Sequence, residues 1–171
     1  RLKNAAIISE ELGVLGPSRP DYYVVIDPVD GSKNASRGIP FYSTSIIVAK
    51  GLKSSDIVAA GVIDHATGDI YVGERDGDVL VAGGSPRLSQ VESLEEAFIF
   101  LDHGSFKHSG GWAERIVKKA RATRFMGSAA LEISYILSGK VDGFACLSRG
   151  LRPLDFMAPL FLLKLVGGSY R

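Results

Sequence analysis

The 171 residues include a single cysteine, Cys146, so no disulfide can staple the chain to itself. Cys146 sits in the apolar run 144–147 and reads as a small buried hydrophobe. Charge of one sign is also lacking. Twenty Lys and Arg against nineteen Asp and Glu leave a formal charge of +1, which gives no global attraction to nucleic acid or to a membrane surface. The one basic stretch, Arg115, Lys118, Lys119, Arg121 and Arg124, lacks interleaved aromatics and reads as a solvated helix face. No apolar run reaches the roughly 20 residues that a bilayer span needs, and the longest, Phe156 to Val166, is broken by Lys164. His65, His103 and His108 have no zinc-like spacing with one another or with the cysteine and read as loop residues. There is no internal repeat, heptad array or low-complexity tract, and no secretory signal at the start, so a cytoplasmic setting is expected. The length suffices for a sizeable core, as one domain or two small ones.

What is present is concentrated in Ile26-Asp27-Pro28-Val29-Asp30-Gly31-Ser32-Lys33-Asn34. Tyr23, Val24, Val25 and Ile26 read as a buried strand, because four β-favouring residues in a row leave little polar surface. Pro28 is expected to end the ladder and turn the chain, so that Asp27 and Asp30 point to one side, and Gly31 lets backbone N–H groups approach a ligand. The same residues suit an ordinary turn, since Asp-Pro and Asp-Gly are turn dipeptides and Asp caps helices. Two further acidic places favour a metal site. Glu10 and Glu11 follow the short β-type run Ala5 to Ser9, and Asp155 opens the apolar segment after Arg152-Pro153-Leu154.

Strands dominate the first half. Thr44 to Ala49, Ile57 to Asp64, Asp69 to Gly73 and Asp78 to Ala82 are β-rich runs punctuated by Gly, Asp and Ser, the pattern of an antiparallel meander. Phe98 to Leu101 opens a regime in which strands alternate with helices. Trp112 to Ala122 reads as an amphipathic surface helix, Ser128 to Leu137 as a buried helix, Val141 to Leu147 as a strand and Asp155 to Val166 as the last helix. A boundary near Glu96 divides residues 1–96, an α+β portion carrying an antiparallel sheet and the metal site, from residues 97–171, an α/β portion that completes the site.

Ser9-Glu10-Glu11, Asp27 to Asn34, Gly127-Ser128-Ala129-Ala130 and Leu154-Asp155, in that order, resemble the inositol monophosphatase superfamily of lithium-sensitive, metal-dependent sugar phosphatases. The segment Asn34 to Ser43 is most similar to archaeal members acting on both inositol phosphates and fructose 1,6-bisphosphate. The resemblance implies a layered α-β-α-β-α sugar phosphatase fold, truncated at both ends here: relatives carry helices before the first acids and a strand and helix after Gly168. It also implies a homodimer, no nucleic acid or membrane partner, and a phosphorylated small molecule as substrate.

By the same resemblance, two or three Mg²⁺ ions would sit on Glu10, Asp27 and the Val29 carbonyl, and on Asp27, Asp30 and Asp155, with Glu11 behind them or on a weaker third ion. Hard oxygen ligands suit Mg²⁺ and leave places for water and phosphate. Two such ions, about 3.5–4 Å apart, can divide nucleophile activation from leaving-group stabilisation. Ser32 stands where most relatives carry Thr and would orient the attacking water. Asp30 and the N–H groups of Gly31 and Ser32 would hold the phosphate, with a helix N-cap as the other role for Ser32. Gly127, Ser128 and Ala129, at a helix start, would meet a sugar hydroxyl or phosphate, with Ser128 as an ordinary N-cap equally open. Animal members grip inositol with a Glu where Ser148 stands here. Arg149 and Arg152 beside it would suit a second phosphate, or would be solvated surface residues. The expected activity is Mg²⁺-dependent hydrolysis of inositol 1-phosphate or fructose 1,6-bisphosphate. The alternatives are a nucleotide or dinucleotide phosphatase of the same fold, or a non-catalytic sugar-phosphate binder.

Overall fold

The computed structural model describes residues 4–108, 110–148 and 150–170. Seven strands form one sheet: β1 (Ala5–Ser9), β2 (Gly13–Leu15), β3 (Tyr22–Asp30), β4 (Ser43–Ala49), β5 (Ile57–Asp64), β6 (Ile70–Glu74) and β7 (Val79–Val81). Their spatial order is β2-β1-β3-β4-β5-β6-β7, with β1 and β3 parallel and β3 to β7 an antiparallel meander as the punctuation predicts. On β4, Ser43, Ser45, Ile47 and Ala49 face inward while Ile46 faces out, the two-residue alternation of a strand covered on one side. The cover is α4 (Ala129–Leu137) and α5 (Pro153–Leu165). Pro153 opens α5 at its first turn, where a missing N–H costs nothing.

A second sheet holds β8 (Phe98–Leu101), β9 (Ala122–Arg124) and β10 (Gly143–Ala145), all parallel, in the order β10-β8-β9. α2 (Gly104–His108) and α3 (Trp112–Lys119) lie between β8 and β9 in the chain. The first sheet ends at Val81 and the second begins at Phe98. One apolar cluster nevertheless draws on both, with Phe41, Ile47, Tyr71, Phe100, Leu131 and Leu162 among its members. Phe41 meets Tyr135 edge-on with ring centroids 5.5 Å apart, which fixes the segment after the Asp27–Asn34 motif against α4.

Several expectations need correction. Pro28 does not end β3, which continues to Asp30 through a register shift: Asp27 pairs with Ser45, but Asp30 pairs with Ser43. Three steps on β3 oppose two on β4. In a regular strand residues three apart face opposite sides, so this one-residue bulge is what returns Asp27 and Asp30 to the same side. Residues 22–26 are half buried, not buried, and β2 and α2 were not anticipated. The surface helix stops at Lys119 because Ala122–Arg124 pairs with β8, and β10 is shorter than the run Val141 to Leu147. Cys146 is half buried beside polar atoms, its Sγ 3.8 Å from Asp102 Oδ2.

Candidate active site

Parallel pairing of β1 and β3 places Ser9 beside Ile26, so the next residues, Glu10 just past β1 and Asp27 within β3, come side by side. Asp155 arrives from the first turn of α5. That helix is tied to β4 by Ser45 Oγ, which donates to the Leu154 carbonyl at 3.2 Å. One oxygen from each of Glu10, Asp27 and Asp155 lies within 4.8 Å of the others. Asp27 is buried, and its Oδ1 accepts the Val29 N–H at 3.0 Å. Burial raises its pKa above the ordinary carboxylate value, with Glu10 and Asp155 adding repulsion against the partial relief from Val29 N–H and Arg152.

Arg152 supplies the positive charge that this cluster demands. Its guanidinium lies 2.7 Å from Glu10 Oε1 and 3.3 Å from Asp155 Oδ1, and the bond to Glu10 is the main cause holding the Arg152 pKa above its usual value. Asp155 in turn accepts the Arg152 N–H at 2.7 Å and so caps its own helix. Arg152, expected to meet a second phosphate, is therefore turned to the acids. Its neighbour Arg149 lies outside the described residues.

Asp30 stands apart from the three-acid cluster but lines the same cavity of about 560 Å³. Its Oδ2 accepts Ser128 Oγ at 2.7 Å and Ala130 N–H at 2.8 Å. Burial pushes its pKa up to about 6 despite those two bonds, with Asp27 and Asp155 adding to the rise. Ser128 is fully buried between Asp30 and Ser43, whose hydroxyl lies 3.0 Å away. It stands at the N-cap of α4 but makes no side-chain capping bond; its hydroxyl orients Asp30 instead.

The other expected residues surround this centre. Val29, Gly31, Ser32, Gly127 and Ala129 line the cavity, as does the exposed Glu11. Gly31 has φ +87°, and a Cβ there would meet Phe41 O and Ser128 Cβ at 3.1 Å, so the close approach of the two loops requires glycine. Ser32 is exposed at the start of α1 (Ser32–Ala35), whose four residues carry too little dipole to matter beside the N–H groups themselves.

Three contributors were missed. Asn34 Nδ2 donates to the carbonyls of Phe41 at 2.8 Å and Met126 at 2.7 Å, bridging the two halves of the chain; nothing in its local sequence signals this. Glu132 is buried, and its Oε1 accepts the Met126 N–H at 2.8 Å. Burial drives its pKa up to about 8, against the bonds from Met126 and Gly127. A carboxylate within the apolar run of α4 was its visible signal. Asp102, after β8, also lines the cavity.

Comparison with known proteins places the chain in a family. A model of the inositol monophosphatase family matches residues 1–171. The chain is 31% identical over 162 residues to the fructose-1,6-bisphosphatase/inositol-1-monophosphatase of Thermococcus kodakarensis, covering 95% of this chain and 59% of that protein. It is 30% identical to a bifunctional NADP phosphatase/NAD kinase of Methanococcus maripaludis, over 96% of this chain and 32% of that protein. The solved structure of a Thermotoga maritima IMPase superposes with a TM-score of 0.81 at 28% identity, covering 96% of this chain and 61% of that one. The chain thus spans about three fifths of the length of the curated bisphosphatase/monophosphatase relative it matches. With its whole length matched and three acids gathered within 4.8 Å of one another, the chain belongs to the inositol monophosphatase family.

Proposed function

We propose that the protein is a Mg²⁺-dependent phosphomonoesterase acting on inositol or sugar phosphates, as the names of its archaeal relatives suggest. The observation that carries this reading is the convergence of Glu10, Asp27 and Asp155, from three elements distant in the chain, beside the Gly31-Ser32 turn. Two buried carboxylates and the exposed Glu10, which repel one another and recruit a guanidinium, fit a site built for hard cations.

Glu10, Asp27 and the Val29 carbonyl would hold one Mg²⁺; Asp27, Asp30 and Asp155 a second; Glu11 a weaker third. Such ions supply Lewis acidity, making water a better nucleophile near neutral pH and offsetting charge on the phosphoryl oxygens. The chain's own residues do the positioning. Ser32 Oγ orients the attacking water, the Gly31 and Ser32 N–H groups hold the phosphate, and Ser128 and Ala130 fix the Asp30 carboxylate. The reading includes a homodimer in the cytoplasm.

The test is phosphate release by the full-length protein from inositol 1-phosphate, fructose 1,6-bisphosphate and NADP, with Mg²⁺ and with chelator. Release from the first two that stops on chelation is expected. Release indifferent to chelation overturns the reading, and release from NADP alone favours the dinucleotide phosphatase to which the Methanococcus similarity points.

A further inference from the structure

We propose that Asp102 selects the end of the substrate remote from the scissile phosphate, accepting the hydroxyls of a neutral polyol and turning the site against a second phosphate; this rests on the phosphomonoesterase reading above. Asp102 follows β8, and its N–H donates to the Ala145 carbonyl of β10 at 3.0 Å, so it stands at the carboxyl ends of two parallel strands. Ligands of parallel sheets bind at those ends.

Its side chain is oriented from behind. Ser148 Oγ donates to Asp102 Oδ2 at 2.7 Å, and the same hydroxyl accepts the Gly150 N–H at 3.2 Å. Asp102 Oδ1 has no hydrogen-bond partner among the described residues, and the residue lines the cavity that also holds the acid cluster. An ionised carboxylate accepts and never donates, so what it matches is a pair of hydroxyl donors. A phosphate offers acceptors and like charge, which is repelled at this range.

Among the described residues, the surroundings do not rescue a second phosphate. Arg152 is the only Lys or Arg among the described lining residues, and its guanidinium is held by Glu10 and Asp155. The nearby amide of Asn34 gives its hydrogens to two backbone carbonyls. Ser148 therefore acts through Asp102: the serine holds the carboxylate, and the carboxylate meets the substrate.

Steady-state kinetics of the full-length protein with Mg²⁺, on inositol 1-phosphate and fructose 1,6-bisphosphate, test this in wild type, Asp102→Asn, Ser148→Ala and Arg149→Gln. Wild type should favour the monophosphate in kcat/KM. Asp102→Asn should raise KM for inositol 1-phosphate about ten-fold beyond any fall in kcat, the scale of a hydrogen bond to a charged group, while KM for the bisphosphate falls or holds. Ser148→Ala should raise KM for inositol 1-phosphate by less, with KM for the bisphosphate falling or holding, and Arg149→Gln should leave the preference in place. Thermal midpoints identify any variant that fails to fold, in which case Ser148→Ala decides. A wild-type preference for the bisphosphate, or an Asp102→Asn variant whose two KM values stay put or rise together, overturns the proposal. If wild type hydrolyses neither compound, the phosphatase reading fails by itself. Equilibrium binding of inositol 1-phosphate to wild type and Asp102→Asn then decides the role of Asp102: about ten-fold weaker binding to the variant supports it, and equal or absent binding overturns it.

Discussion

Two groups of polar residues around the cavity are held together in opposite ways. In one, Glu10, Asp27 and Asp155 crowd within 4.8 Å and depend on an exposed guanidinium for balance. In the other, Asp30, Ser128, Asn34 and Glu132 direct hydrogen bonds to partners on the facing loop or helix, with no opposing charge required. The acid group stores repulsion and is completed by a cation; the other is a satisfied frame that fixes distances. A buried charge is tolerated where function needs it, and a buried polar group is tolerated where hydrogen bonds answer it.

Replacing Asp27 should break the contrast most sharply. Asp27→Asn keeps an oxygen for the Val29 N–H but removes a shared ligand, so turnover should fall by about 10³-fold or more, the scale of losing one electrostatic stabiliser. The same change relieves repulsion in the metal-free state, so a thermal melt in chelator should show a midpoint no lower than wild type. A large destabilisation instead would make Asp27 a structural residue.

Ser128→Ala tests the other group. Asp30 Oδ2 keeps Ala130 N–H but loses its hydroxyl donor, so denaturant unfolding should register a loss of about 1.5–3 kcal/mol, and activity should fall with it. Unlike Asp27→Asn, this variant should lose stability and turnover together.

Next comes pH. Glu132 rises from 4.5 to about 8 and Asp30 from 3.8 to about 6 in the folded chain, so the folded state binds more protons than the unfolded one between those limits. Their contribution is fully present below about pH 4 and is lost as pH rises through 6 and then 8. Thermal midpoints of metal-free protein should fall across this window, and the upper part of the fall should vanish in Glu132→Gln. A midpoint that rises from pH 5 to 8 in wild type would contradict the buried, protonated glutamic acid.

The smallest effect is expected at Arg152. Its side chain is half exposed, so Arg152→Gln should shift the stability of metal-free protein by less than about 1 kcal/mol. Titration calorimetry should nevertheless show Mg²⁺ binding tightened by a few-fold, roughly the factor matching such a pair, because the guanidinium competes for Glu10 and Asp155. Weaker binding would mean that Arg152 supports the cation site.

The legible part of this site was local chemistry. Asp27 to Ser32 announced a turn with carboxylates and a hydroxyl, and the meander followed from its Gly and Asp punctuation, whereas Glu132 was missed although it is a charge within an apolar helix. Arg152 was visible as a cation beside Asp155, but its second partner is Glu10, far away in the chain. Asn34 gave no hint that it joins the first half to Met126, 92 residues on. The strand through Pro28 was misread because a proline in a ladder normally marks its end, whereas a bulge accommodates it here.

By itself the sequence determined the kinds of atom available: hard oxygens in three places, a glycine where two loops touch, no disulfide and no excess of one charge. Only the tertiary structure decided which of those oxygens meet. The parity of Asp27 and Asp30 depends on one extra residue in a strand pairing, and the partners of Asp30 and Glu10 lie on α4 and at the start of α5. Such contacts arise from how layers pack on one another, and no local propensity encodes them.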